Sequence, residues 1–371
     1  MKNLSVFTLL FIIGATFLFS CGSPSNNEAI LSTLDEFQKE FVPDKRIAVF
    51  NVIQSETSDS ITVETTSQNA KSAIEEFLTS NNSDNITVKL LPDSVLGDDQ
   101  FAVVRVSVAN LRRDPRHQAE MIDQAIMGTR LKVLKRQRGW YYIQTPWEYL
   151  GWITSGSLEI MDETALNDSW SPDELVYVNS VDTRVFDSAN TNSGVVSDVT
   201  LGATLRFIET SGLYAKVALP DGREGYIRAT EIQPFAESDP TNGLDREALI
   251  TTANRFHGLP YLWGGNSGKG FDCSGFTQTV FKNHGILLPR DANMQVEMGT
   301  TVEFADNFTN VQKGDLLFFG PNRNRITHVG ISLGGGKFIH SSSYVQINSL
   351  NPDDSDYDEG RRNSLQVIKR I

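Results

Sequence analysis

The stretch GLPYLWGGNSGKGFDCSGFTQTVFKNHG, residues 258–285, decides how the C-terminal part of the chain is read. Asp272 is a good helix N-cap, because a short side-chain oxygen can accept a hydrogen bond from a first-turn N–H. The run after it puts Phe276, Val280 and His284 on one face of a helix from about Cys273 to His284, with Gly285 past its end. Cys273 then opens that helix, where backbone N–H groups and the helix dipole favour a thiolate and lower the thiol pKa. The charge of Asp272 opposes this, so a base is still needed. The glycines do not make a phosphate loop. Between Gly264 and Gly268-Lys269 lie three residues rather than four, and Gly270 stands where a magnesium-holding hydroxyl is required.

The chain has 371 residues, a net charge of −13 and two cysteines, Cys21 and Cys273. Its acidic balance argues against nucleic acid and against adsorption to anionic surfaces. Residues 1–21, MKNLSVFTLLFIIGATFLFSC, hold one Lys and then an apolar run of roughly fifteen residues, short of the ~20 that span a bilayer. The ending Ser20-Cys21 resembles the lipobox of bacterial lipoproteins. That resemblance implies a signal peptide over 1–20, lipid on Cys21, and a membrane-anchored protein in the periplasm. A lipidated Cys21 leaves Cys273 unpaired in an oxidising compartment, where a free thiol is a liability.

Residues 28–95 read as a small α+β region of unread role, with helical runs EAILSTLDEFQKEF and QNAKSAIEEFLTS among the alternating runs RIAVFNVIQ, SITVETT and NITVKLL. An internal repeat follows. Gly128 to Gly151 spans 23 positions, as does Gly202 to Gly225, and each pair brackets alternating runs around a Gly-aromatic turn. Two small β-barrels are expected, over 102–160 and 173–236, with EIMDETALNDSWSPDE as their linker. They resemble bacterial Src-homology-3-like domains. From Leu244 to Ile371, helices and then strands suggest an α+β domain.

His328 and His340 lie 12 residues apart across the glycine turn Gly334-Gly335-Gly336. A cross-strand register sum of 668 or 670 would put both imidazoles on one face, directly opposite or diagonal. Val329, Ile331 and Leu333 would then face the core, and Gly330 would leave room for the helix end. Thiol, imidazole and a second polar ring, in that chain order, are what a thiol hydrolase uses as nucleophile, base and orienting group. His117 and His257 lack comparable partners and read as structural or solvated. No third ligand with metal-like spacing accompanies the histidines, so no metal or other cofactor is expected.

The motifs YLWGG, FDCSGFTQ, LPRDANMQ, GDLLFF and HVGISLGGGKFIHSSS together resemble the NlpC-type cell-wall cysteine peptidases across residues 244–371. The resemblance implies a papain-like domain with Cys273 as nucleophile, His328 as base and His340 as its orienter. Tyr261 would stabilise the oxyanion together with the backbone N–H of Cys273. With two barrels ahead of that domain, the chain is similar to γ-D-glutamyl-L-diamino-acid endopeptidases, which cut peptidoglycan stem peptides carrying a free L-Ala amine. Asp291, Glu120 and Tyr149 then form an ammonium pocket, while Asp272 and Ser274 flank the thiol as substrate contacts. PWEYLGW departs from the commoner Asp-Gly-Tyr form around Tyr149, and Ala292 stands where relatives often have Ser. A desolvated ammonium requires carboxylates, which suits this set. Asp291 also fits as an N-cap for ANMQVEMG. The expectation is a monomeric peptidase of released wall peptides; cleavage of another bond in intact wall, or an inactive wall-binding lipoprotein, are the alternatives.

Overall fold

The computed structural model describes residues 26–81, 85–234, 244–305 and 307–371; Cys21 and the leader before it lie outside these, as do 235–243. The N-terminal unit runs α1 Asn26–Phe41, β1 Phe50–Gln54, β2 Ile61–Thr65, α2 Gln68–Asn81 and β3 Ile86–Leu90. β1 is antiparallel to β2, and α2 carries the chain across to make β3 parallel to β2. The apolar faces of both helices, through Ile30, Leu34 and Ile74, close over Val63 and Phe50.

The repeat folds twice into the same seven-stranded sheet. The first copy comprises β4 Phe101–Val104, β5 Val108–Arg112, β6 Met121–Ile126, β7 Arg130–Gln137, β8 Trp140–Gln144, β9 Leu150–Thr154 and β10 Leu158–Met161. The second comprises β11 Leu175–Val178, β12 Asp182–Phe186, β13 Val195–Thr200, β14 Thr204–Ser211, β15 Tyr214–Ala218, β16 Glu224–Arg228 and β17 Ile232–Pro234. Strand orders are β10-β4-β7-β8-β9-β5-β6 and β17-β11-β14-β15-β16-β12-β13, the same path in both copies. The equally spaced glycines serve equal purposes. Gly128 and Gly202 turn the chain at φ of 85° and 90°, which side chains disfavour. A Cβ on Gly151 would stand 3.0 Å from the Leu111 side chain, and one on Gly225 would stand 2.5 Å from the Phe186 carbonyl, where β9 and β16 cross onto β5 and β12.

The stretch read as a plain linker is structured. Asp162 accepts a hydrogen bond from Ala165 N at 2.7 Å and starts a short helix, α3 Glu163–Ser169. Leu166 and Trp170, one turn apart, are buried with Val103 and Leu175. Two apolar residues among polar ones were enough to dock the helix, and only the neighbouring barrels reveal where.

The C-terminal unit opens with α4 Arg246–Asn254 and the short ribbon β18 Asn266–Ser267 and β19 Gly270–Phe271, followed by α5 Cys273–Lys282 and α6 Ala292–Gln295. Then come β20 Thr300–Thr301, β21 Leu316–Phe319, β22 His328–Gly334, β23 Lys337–Ser342, β24 Tyr344–Ser349, α7 Glu359–Ser364 and β25 Leu365–Arg370. Its antiparallel sheet has the order β20-β25-β21-β22-β23-β24. α5 lays Phe276, Val280 and Phe281 on Val329, Ile331 and Ile339. Each of these buried side chains contributes about 1.5–3 kcal/mol. This packing fixes the tip of α5 against the start of β22.

Candidate active site

A cavity of about 640 Å³ is walled by all three kinds of unit: Arg46 from the N-terminal unit, Glu120 and Tyr149 from the first barrel, and Tyr261, Cys273 and Asp291 from the C-terminal unit. Cys273 begins α5 because Asp272 caps it, its Oδ1 accepting from Gly275 N at 2.7 Å. The half-buried thiol lies within electrostatic reach of the N–H groups of Val329 and Ser274, beside the strand end where His328 sits. Burial, then the charge of Asp272, push the thiol up to about 11, despite those two N–H groups and Arg290. The helix-tip lowering expected from sequence is thus outweighed by desolvation of the anion. Tyr261 is raised to about 12 by burial and by Cys273 and Asp272, so it keeps its phenolic proton as a donor into the cavity.

β22 and β23 pair Ile331 with Ile339 and Ser332 with Phe338, a register sum of 670, so His328 and His340 lie diagonally on one face. His328 Nε2 and His340 Nδ1 are 2.7 Å apart, and His340 Nε2 lies 2.9 Å from Asn348 Oδ1. Asn348 Nδ2 donates to the Asp356 carbonyl at 3.2 Å, and that contact fixes which way the amide points. The network therefore assigns the tautomers. His340 carries its proton on Nε2 for Asn348, its Nδ1 accepts from His328 Nε2–H, and His328 Nδ1 is left as a lone pair. Burial, then Arg361 and His340, hold His328 well below the usual imidazole range, so it stays neutral. Burial lowers His340 to about 4, against its hydrogen bond to Asn348.

Gly330 does not make room for the helix end, as the sequence suggested. α5 packs on the opposite face, and a Cβ at Gly330 would meet Phe338 at 2.9 Å and His340 at 3.1 Å. The glycine makes space for the second histidine. Asn348 escaped the sequence reading because its place opposite Phe338 depends on the β23–β24 register.

Asp291 stands at the N-cap position of α6 but makes no capping bond. Its Oδ2 instead accepts from Tyr149 OH at 3.1 Å and from Arg46 Nη1 at 2.7 Å. Glu120 lines the same cavity, yet both its oxygens are taken, by Trp263 Nε1 at 2.8 Å and by Arg113 at 2.8 Å. Glu120 thus reaches the cavity that the sequence reading gave it, held there by Trp263 and Arg113. Asp272 and Ser274 also border the cavity, but as scaffold rather than as free ligand groups. The oxygens of Asp272 accept from Gly275 N, from Gly264 N at 3.0 Å, and from Arg290 at 3.0 and 2.7 Å, while Ser274 Oγ accepts from Arg290 at 3.1 Å.

Arg290, 1% exposed, is the hinge pin between barrel and C-terminal unit. Its Nε donates to Asp123 Oδ1 of β6 at 2.5 Å while its other nitrogens hold Asp272. Asp123 also accepts from Trp147 Nε1 at 2.7 Å and from Asn266 Nδ2 at 3.2 Å. Burial raises the Asp123 carboxyl above its ordinary range, and Arg290, the Gln124 N–H and Trp147 work against that rise. Nothing local in PRDA distinguishes such an arginine from a surface one. Among the other histidines, His284 meets Thr252 Oγ1 at 2.9 Å, His117 lies against the Trp140 ring, and His257 is exposed.

Residues 258–359 match the NlpC/P60 family, and residues 111–158 match the bacterial dipeptidyl-peptidase Sh3 domain. A gamma-D-glutamyl-L-lysine dipeptidyl-peptidase of Bacillus cereus (strain ATCC 10987 / NRS 248) is 30% identical, over 59% of this chain and 66% of its own. The protein of the same name from Bacillus subtilis (strain 168) is 43% identical over 34% of this chain and 41% of its own. The chain thus spans just under two thirds of the first and about two fifths of the second. Dipeptidyl-peptidase 6 of Lysinibacillus sphaericus is 26% identical over 72% of this chain and 98% of its own. The crystal structure of an NlpC/P60 family protein from Bacillus cereus ATCC 10987 superposes with a TM-score of 0.63 at 24% identity, covering 73% of this chain and 99% of that one. The fold is therefore shared through the barrels as well as the C-terminal unit. With a match that spans Tyr261, Cys273, His328 and His340, residues 258–359 form an NlpC/P60 family domain, preceded in the chain by SH3-like barrels.

Proposed function

We propose that this protein is a cysteine peptidase that hydrolyses the γ-D-Glu–diamino acid bond of peptidoglycan stem peptides bearing a free L-Ala amine. One observation carries the reading: a thiol at a helix tip shares a single cavity with an uncapped carboxylate, Asp291, about which a barrel tyrosine closes. On this reading Asp291 takes the substrate ammonium and places the γ-carbonyl over sulfur. His328 Nδ1 receives the thiol proton as Sγ attacks, and the oxyanion accepts from Cys273 N–H and Tyr261 OH. His328 then protonates the departing amine of the diamino acid, leaving a D-Glu γ-thioester. Water, deprotonated by the same nitrogen, releases the γ-carboxylate and restores the thiol. Because sulfur and imidazole both rest neutral, the proton moves during attack rather than before it. The names of the relatives support the bond and a diamino acid such as lysine.

The test compares wild type with Cys273→Ala on L-Ala-γ-D-Glu-L-Lys and its diaminopimelate counterpart, each free and N-acetylated, with products weighed by mass spectrometry. Cleavage of the free peptides by wild type alone is expected. Equal turnover of acetylated peptide would reject the amine pocket, and no cleavage at all would reject the peptidase. A lipid anchor on Cys21 belongs to the same proposal and places the enzyme at a periplasmic membrane face; labelled palmitate should enter wild type and not Cys21→Ser.

A further inference from the structure

The N-terminal unit, unread from sequence, delivers a cation to the cavity. It is seated on the first barrel. Leu150 N donates to the Arg46 carbonyl at 2.8 Å, Gln144 Nε2 donates to the Ile47 carbonyl at 2.8 Å, and Val49 and Leu91 pack on Leu134 and Leu150. Lys135 and Glu64 add a nearly buried ion pair at 2.5 Å. Backbone and side chain of residue 46 are therefore held in place. Its guanidinium gives Nε and Nη2 to Asp44 at 2.9 and 2.6 Å, and Nη1 to Asp291 Oδ2 at 2.7 Å and to Asn293 Oδ1 at 2.8 Å. Among the described residues Asp291 Oδ1 accepts nothing, so one oxygen remains for a ligand.

We propose that Arg46 is a specificity-determining residue: shared between Asp44 and Asp291, it sets how strongly the cavity prefers a free ammonium over a neutral peptide end. This rests on the reading that Asp291 receives the substrate amine. Asp44, Arg46 and Asp291 together carry one net negative charge, whereas the two carboxylates alone would carry two. Glu120 adds little, since Arg113 already neutralises it. Lys45, also on the cavity wall, acts in the same direction as Arg46. Removing the guanidinium strengthens the pull on an ammonium and does nothing comparable for an acetylated end, so the electrostatic sign is defined. Freeing Arg46 from Asp44 commits it wholly to Asp291 and has the opposite sign.

The measurement is the ratio of kcat/KM for free and N-acetylated L-Ala-γ-D-Glu-L-Lys in the full chain. Arg46→Gln should raise the ratio about fivefold through a lower KM for the free peptide, as expected for one partly exposed ion pair. Asp44→Asn should lower it, Arg46→Lys should stay near wild type, and 0.5 M salt should shrink both shifts. Asp44→Asn leaves the docking bonds of residues 46 and 47 intact, and carries the test should Arg46→Gln not fold. A ratio that falls or stays unchanged in Arg46→Gln, or that moves the same way in both variants, overturns the inference. Asp291→Asn separates the two layers. If it collapses the ratio while Arg46→Gln does not move it, only the role of Arg46 fails; if it leaves the ratio untouched, the amine pocket fails and this inference with it.

Discussion

Replacing Asn348 by Asp tests whether an amide two rings away sets the base. The new carboxylate would lie where Oδ1 now sits, 2.9 Å from His340 Nε2. His340 is held at about 4, chiefly by burial. Charge centres about 4 Å apart at an effective dielectric of about 20 attract by about 4 kcal/mol, or about 3 pKa units. His340 in the variant should therefore titrate near pH 7. Once charged, His340 carries a proton on Nδ1 as well, so His328 Nε2 must accept and the proton of neutral His328 moves to Nδ1. The base then meets sulfur with an N–H instead of a lone pair. Because the folded-state pKa of His340 is raised, activity is intact above about pH 8 and lost as pH falls through about 7, roughly tenfold by pH 6. Wild type should lose nothing in that window. The assay is kcat/KM on a γ-D-Glu–L-Lys peptide from pH 5 to 9, with Asn348→Leu as the uncharged control; that variant should show a uniform loss of a few-fold. An acid limb in Asn348→Asp that superimposes on wild type would refute the tautomer chain.

Arg290→Met should cost about 3–5 kcal/mol, because it strands Asp123 and Asp272 without their cation. Chemical denaturation should show the loss to be smaller at pH 5 than at pH 8, since a stranded Asp123 has its folded pKa raised and regains stability by taking up a proton; a cost under about 1 kcal/mol would deny that the pair joins the units. The Cys273 thiol, pushed up to about 11, should be alkylated by iodoacetamide at a rate still climbing above pH 9. A rate already level at pH 7 would mean that a resting thiolate exists.

Several elements were legible because their signals repeat along the chain. The 23-residue glycine spacing announced two copies of one sheet, and the apolar face Phe276-Val280 announced a helix with Cys273 at its tip. Alternation along a strand reduced the question of whether His328 and His340 share a face to one of register, which the structure answers with an even sum. α3 was missed because two apolar residues in a polar stretch make no period. Asp272 shows only its capping role and Glu120 none when read one residue at a time, and their partners Arg290 and Trp263 come from the folded neighbourhood.

What sequence alone determined was the local chemistry: which side chain can be a nucleophile, which can be bases, and, through periods of 2 and 3.6 residues, which neighbours share a face within one strand or helix. The tertiary structure decided which of those charges are already spent. Arg46 meets Asp291 across 245 positions, Arg290 meets Asp123 across 167, and Asn348 reaches His340 only through the register of an adjoining strand. Ionic pairing and tautomer choice depend on distance and burial, and units that dock through their surfaces bring such groups together without leaving a spacing to read in either one.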